Sequence, residues 1–191
     1  NNATYNKTKF VQDYSSHKNN GTAESVTWNT TGGYNGRGGY DFSGPNNITI
    51  PHSESLNLTN VVTVSAWINP KTAGQHYGIL EKTIGGAVNK QYMLFLESGY
   101  AKFRVAKSST LYTAASSGTV SAGQWTHVVG RYNGSAASVW VNGVEQTTTA
   151  SVTGPLDGGN GITIIGKLGS NIYDFNGLID EIIVWNKSLS N

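Results

Sequence analysis

Apolar residues in this chain gather in short runs broken by Gly- and Asn-rich stretches, and almost nowhere recur at the 3.6-residue spacing of a helix. Runs rich in β-branched and aromatic residues, bounded by such breaks, predict strands. They fall near Asn47–Ile50, Val61–Ile68, Gly78–Lys82, Tyr92–Leu96, Ala101–Val105, Leu111–Ala114, Thr126–Tyr132, Ala137–Val141, Val144–Thr149, Ile162–Gly166 and Leu178–Trp185. The breaks include Gly85-Gly86, Ser98-Gly99, Ser121–Gly123, Asn133-Gly134 and Asp157–Gly161. Asn142-Gly143 joins two such runs across two residues, the favoured signal for a tight hairpin whose turn positions need positive φ. About ten short strands with frequent turns indicate an all-β sandwich or barrel.

The alternation within runs assigns faces. Phe103 and Val105 alternate with Lys102 and Arg104, so one side of that strand meets a core and the other meets water. Val139 and Val141 point away from Trp140, and Val61–Ile68 is apolar enough to be a central strand covered on both faces. With 191 residues and no shift in composition, one domain is expected over 1–191, with residues 1–10 a loose lead-in. A chain of this length buries enough surface to fold without disulfides, and it has no cysteine. The net charge is +2, without the basic stripe of a nucleic-acid binder. No apolar run is long enough to insert as a spanning helix. The opening Asn1-Asn2-Ala3-Thr4 has no signal-peptide pattern, so the chain is expected to begin after processing or to be cut from something longer. Abundant Asn, Ser, Thr and Gly point to a secreted or cell-surface location. N-x-[ST] triplets at Asn2, Asn6, Asn20, Asn29, Asn47, Asn57, Asn133 and Asn186 agree with it, although an Asn- and Thr-rich chain generates such triplets freely.

Several segments, in order, resemble a known family. They are Asp13-Tyr14-Ser15-Ser16-His17-Lys18-Asn19-Asn20-Gly21-Thr22; Gly39-Tyr40-Asp41-Phe42-Ser43-Gly44 with Ile48-Thr49-Ile50-Pro51; and Val62-Thr63-Val64-Ser65-Ala66-Trp67-Ile68. Gly123-Gln124-Trp125-Thr126-His127-Val128-Val129, Val139-Trp140-Val141-Asn142-Gly143 and Phe175-Asn176-Gly177-Leu178-Ile179-Asp180-Glu181-Ile182 complete the series. Together they resemble the laminin-G-like domain of the concanavalin-A-like lectin/glucanase superfamily. The resemblance implies a two-sheet antiparallel jelly-roll sandwich, with one convex and one concave sheet. It leaves function open, because such sandwiches serve as lectins, adhesion modules and glycanases.

The first of these segments offers a carboxylate, hydroxyls, two Asn amides and a glycine, all oxygen-rich donors of the kind Ca²⁺ takes. The resemblance implies one structural Ca²⁺ between this loop and the last strand. Asp13, Asn20 and Asp180 would supply side chains, and carbonyls near His17 and Gly21 further ligands. The competing reading is an Asx turn at Asp13, with Asp180 capping a bulge through its own backbone.

Glycosidase chemistry finds little support. A retaining enzyme needs two carboxyls about 5–5.5 Å apart, and no E-x-D-x-E occurs; adjacent Asp180 and Glu181 face opposite sides of a strand. His127 reads as a core histidine rather than a general base, and Trp67 and Trp125 as core anchors. A glycan or polysaccharide ligand is expected to meet Tyr77, Tyr173 and Asp174 on loops beside His76, and Arg104, Lys82 and Tyr92 projecting from a concave strand. The cations would suit an acidic or sulfated glycan. The leading expectation is thus a non-catalytic, extracellular carbohydrate-binding module. Behind it stand an adhesion module contacting surface proteins and a glycan-cleaving enzyme built from scattered His76, Tyr92 and Arg104.

Overall fold

The computed structural model describes residues 10–85, 90–169 and 173–190, and among them it is two facing β-sheets. Numbered along the chain, the first sheet runs in the order β1 (Phe10–Val11), β2 (Gly21–Glu24), β5 (Asn47–Ile50), β15 (Thr163–Ile165), β7 (Tyr77–Thr83), β8 (Lys90–Glu97), β9 (Tyr100–Lys107) and β10 (Thr110–Thr119). The second runs β13 (Val144–Glu145), β12 (Ala136–Val141), β11 (Thr126–Tyr132), β6 (Val62–Pro70), β16 (Gly177–Trp185), β4 (Gly39–Phe42) and β3 (Thr27–Asn29), with β14 (Ala150–Ser151) paired to β12. Every pairing between these strands is antiparallel. The jelly-roll sandwich expected from the sequence is the fold of the chain.

The core lies between the sheets and follows the two-residue period of a strand. Val62, Val64, Ala66 and Ile68 of β6 point inward against Leu94 and Leu96 of β8 and Phe103 and Val105 of β9. Gly130 of β11 is a glycine because the Phe103 ring occupies the space where a side chain would begin. Asn142 and Gly143 turn the β12–β13 hairpin at φ 49° and 79°, as the dipeptide requires. The run Val144–Thr149 is strand only at Val144–Glu145, and the chain rejoins β12 at β14. The expected break at Gly85-Gly86 and the acceptor triplets at Asn2 and Asn6 lie wholly or partly outside the described residues.

A single irregularity in β16 decides which of its side chains face outward. Asp180 stands opposite Trp67, but the next partner on β6, Ser65, faces Ile183. Glu181 and Ile182 stand opposite Ala66 alone, a bulge of one extra residue with Glu181 at φ 49°. A one-residue slip sends every later side chain to the opposite face. Before the bulge the odd position Ile179 is buried in the core; after it Ile182 and Val184 pack inward, while Ile183 and Trp185 face out.

Candidate functional site

That outward face carries a groove of about 750 Å³, within the size range of sites that hold small ligands. Its floor is built by alternation: Thr63, Ser65 and Trp67 from β6, His127, Val129 and Arg131 from β11, Trp140 from β12, and Glu181, Ile183 and Trp185 from β16. Trp67 and Trp125, expected as core anchors, are instead half-buried outside the sandwich, because they have the opposite parity from the core-facing residues Ala66, Ile68, Thr126 and Val128.

Tyr34 makes one end wall. Its ring lies flat on Trp67, centroids 3.4 Å apart and planes within 12°. Trp125 approaches Tyr34 edge-on at 6.3 Å. The loop bearing Tyr34 closes on itself through Gly33 N–H to the Arg37 carbonyl at 2.6 Å. It is tied to the sheet by Tyr34 N–H, which donates to Asp180 Oδ2 at 3.0 Å. Gly33 permits this approach, since a Cβ there would come within 2.7 Å of the same oxygen. At the other end the C-terminal segment crosses the sheet. Thr63 Oγ1 donates to the Lys187 carbonyl at 2.7 Å and accepts from Leu189 N–H at 3.2 Å, and Arg131 Nη1 donates to the Leu189 carbonyl at 2.9 Å.

Polar chemistry in the groove is sparse and specific. The Arg131 guanidinium sits 4.4 Å from the Trp140 ring centre and 3.7 Å from the Glu145 carboxylate. Arg131 Nε and Trp140 Nε1 are buried donors without an acceptor among the described residues. The His127 ring lies 5.0 Å from Trp67, and burial pushes its pKa below 6.5, so it is neutral at pH 7. His127 is thus half-buried on the outer face rather than a core histidine, and among the described residues its ring has no carboxylate partner.

The residues singled out for ligand binding are distributed otherwise. Three expected to reach the ligand are buried. Tyr77 packs against Phe175 at 5.2 Å between ring centres. Tyr92 is enclosed, and its hydroxyl donates to the Leu56 carbonyl at 2.9 Å. Lys82 is fully buried, with Nζ donating to the carbonyls of Thr83 at 3.0 Å and Gly161 at 2.5 Å. Tyr77 and Tyr92 fail as solvent-facing residues because they belong to the core between the sheets, Tyr92 with the parity of Leu94 and Leu96, and Lys82 fails because the 158–161 turn closes over its ammonium. Arg104 does face outward, but its Nε donates to Thr113 Oγ1 at 2.7 Å and its guanidinium covers Phe95 at 4.8 Å. Tyr173 is exposed and stacks on His76 at 5.3 Å, while Asp174 lies 3.8 Å from Lys167. Tyr92 faces the core and Arg104 the outside of the same sheet, and His76, Tyr92 and Arg104 share no hydrogen bond among the described residues.

The metal candidates form two clusters. Asp13 Oδ1 accepts from Ser15 N–H at 2.8 Å, and Oδ2 accepts from Ser15 Oγ and Asn19 N–H, both at 2.7 Å. Burial acts against ionisation, but those hydrogen bonds and nearby Lys18 outweigh it and hold the Asp13 pKa below its ordinary value. Asn20 Oδ1 accepts from Asp13 N–H at 2.9 Å. His17 is exposed in the same loop, and Gly21 opens β2 buried against Ile48. Asp180 belongs to the second sheet, with Oδ1 capping the bulge at Glu181 N–H at 2.9 Å. No three His, Asp or Glu side chains converge as a metal cluster among the described residues.

Comparison with known proteins places this geometry. The laminin-G-like profile of the concanavalin A-like lectin/glucanases superfamily matches residues 42–191. No curated protein matches the sequence. Among solved structures, domain 4 of AbnA, a GH43 extracellular arabinanase from Geobacillus stearothermophilus solved in complex with arabinotriose, is similar at TM-score 0.71 and 23% identity, over 89% of this chain and 84% of that one. The binding domain of Paraclostridial Mosquitocidal Protein 1 gives 0.70 at 17% identity, over 96% of this chain and 49% of that one. The binding domain of botulinum neurotoxin DC in complex with SialylT gives 0.71 at 14% identity, over 95% and 48%. The chain thus spans about half the length of these toxin binding domains. With the matched residues supplying most strands of both sheets, the chain belongs to the concanavalin A-like lectin/glucanase superfamily.

Proposed function

We propose that this chain is a non-catalytic carbohydrate-binding module of a secreted or surface protein, and that it holds sugar in the groove on the outer face of the second sheet. The observation that carries the reading is the pairing of groove-lining aromatics, exposed Tyr34 and half-buried Trp185, with two buried donors that have no acceptor among the described residues, Arg131 Nε and Trp140 Nε1. A sugar ring has an apolar C–H face that stacks on such aromatics and hydroxyl oxygens that accept from such donors. An unpaired buried donor costs about 1–3 kcal/mol, which an incoming acceptor recovers. Two structural neighbours of this fold were solved with sugars bound, arabinotriose and SialylT. The groove lining has one carboxylate, Glu181, where a glycosidase needs two. Asp180 beside it accepts from two backbone amides. Affinity electrophoresis against a set of polysaccharides tests the reading: retardation is expected, and a chain that no glycan retards refutes it.

A calcium ion is part of the same proposal. Asp13 Oδ1, Asn20 Oδ1 and both Asp180 oxygens each accept one hydrogen bond among the described residues, leaving a lone pair for a hard cation. Carbonyls near His17 and Gly21 would complete the set. Chelator is then expected to lower the melting temperature, by an amount that Asp180→Ala abolishes. Equal melting with and without chelator, joined to an absence of calcium by elemental analysis, removes the ion from the proposal.

A further inference from the structure

We infer that the groove selects neutral glycans, chains of uncharged sugars, over acidic ones; this deepens the carbohydrate reading and rests on it. The two sugar-bearing neighbours do not decide the matter, since arabinotriose is uncharged and a sialylated glycan is anionic. The charges in and around the groove do.

Recognition of a carboxylate or sulfate calls for a cation with donors to spare, best supplied as a bidentate guanidinium. The one cation in the lining is Arg131. Its Nη2 lies 3.7 Å from the Glu145 carboxylate, its Nη1 donates to the Leu189 carbonyl, and its plane covers Trp140. Both terminal nitrogens are therefore engaged, and Nε alone lacks a partner among the described residues, a single N–H suited to one hydroxyl oxygen. His127 packs against Trp67 and adds no positive charge. On the opposite side Glu181 presents an exposed carboxylate to the groove. In the lining Arg131 and Glu181 cancel, and Arg131 is already paired with Glu145, so an anionic ligand would find no unpaired cation there and would meet the Glu181 carboxylate.

The strand lysines of the first sheet are engaged as well. Lys82 is caged by carbonyls, Lys90 pairs with buried Glu81 at 2.5 Å, and Lys102 pairs with Glu97. What the groove does offer is aromatic surface, a hydroxyl at Ser65, and an indole N–H from Trp140. These suit the alternating C–H and O–H surface of a neutral pyranose or furanose chain.

The test is affinity electrophoresis of the purified chain in gels cast with arabinan or β-xylan, and with polygalacturonate or heparin, at about 0.15 M salt to suppress long-range attraction. Retardation by at least one neutral polymer is expected, with affinity tenfold or more above that for either acidic polymer. Trp185→Ala is expected to weaken neutral binding tenfold or more. Val129→Trp, which fills the groove floor without removing an aromatic face, should do the same, with melting temperature recorded for both. Glu181→Gln should narrow the gap between neutral and acidic polymers. Tighter or equal binding of an acidic polymer overturns the neutral selectivity and leaves the carbohydrate reading standing. Neutral binding indifferent to both groove variants places sugar elsewhere and overturns the inference. Retardation by none of the four overturns the carbohydrate reading together with it.

Discussion

Replacing Lys82 by Met separates a structural lysine from a ligand-binding one. Lys82 on β7 is fully buried, and its ammonium donates to the Thr83 and Gly161 carbonyls, with Gly159 at the 3.5 Å limit. Gly159 and Gly161 allow the turn to press this close, because a side chain at either would overlap the backbone at Thr83 and Ile84. Hydrogen bonds to a charged group contribute about 1.5–3 kcal/mol each. Removing the ammonium also ends its desolvation cost, which offsets part of the loss, yet strands at least two carbonyls at about 1–3 kcal/mol apiece. The sum is a loss of about 3 kcal/mol, or a fall of about 6–12 °C in melting temperature for a chain this long. Burial also pushes the Lys82 pKa below 10.5, with Glu54 opposing. The unfolded chain keeps its proton up to 10.5 while the folded one releases it earlier. Unfolding in that window takes up a proton, so rising pH favours the fold there, and Lys82→Met should lack this slope. Thermal melts between pH 8 and pH 10.5, with sugar affinity measured in parallel, read both effects. A variant that melts within about 2 °C of the parent but loses sugar binding refutes the reasoning and restores Lys82 as a ligand contact.

Gly130→Val should cost about 3 kcal/mol in urea denaturation, because its side chain would run into the Phe103 ring in a packed core; a cost under about 1 kcal/mol means that the sheets can separate to admit it. Asp180→Ala frees the N–H groups of Tyr34 and Glu181, and is expected to cost about 1–2 kcal/mol and to change tryptophan fluorescence as Tyr34 lifts from Trp67; unchanged emission would show that the loop needs no tether. The His127 pKa is lowered by burial, so the unfolded chain takes up a proton at 6.5 before the folded one does. Acidification through 6.5 therefore destabilises the fold, and His127→Gln should flatten the melting temperature between pH 7.5 and pH 5.5 relative to the parent.

Residues whose neighbours lie close in sequence, or whose strand keeps one parity, were readable in advance. The alternation of Phe103 and Val105 with Lys102 and Arg104 survives intact in β9, and Asn142-Gly143 turns as its backbone preference requires. Strands β1 to β4, two to four residues each, are too short to carry a periodic signal and are held by their partners, as when Tyr40 pairs with both Trp28 and Ile179. Lys82 illustrates the limit at the site. Nothing local distinguishes a lysine that reaches solvent from one that caps carbonyls 77 and 79 positions away. Tyr34 was equally hidden, since its place on Trp67 depends on a bond to Asp180 across 146 positions. His127, Val129 and Arg131 alternate with inward-facing Thr126, Val128 and Gly130, yet the apolar run around His127 reads as core, which hides the outer face it forms. That Trp185 joins them was not legible either.

Trp185 joins them because of Asp180 and Glu181. A regular β16 would keep the parity set by Ile179 and drive Ile183 and Trp185 into the core, leaving Ile182 and Val184 outside. The bulge reverses this, at the cost of holding Glu181 in a left-handed conformation that a residue with a side chain rarely adopts. Asp180 steadies that conformation through Oδ1 on the Glu181 amide, and with Oδ2 draws the Tyr34 loop against Trp67. One carboxylate thus fixes both the floor and the end wall of the groove. Adjacent acids in a glucanase superfamily invite a catalytic reading, yet here the first carboxylate is occupied in shaping the groove and the second is left to set its charge.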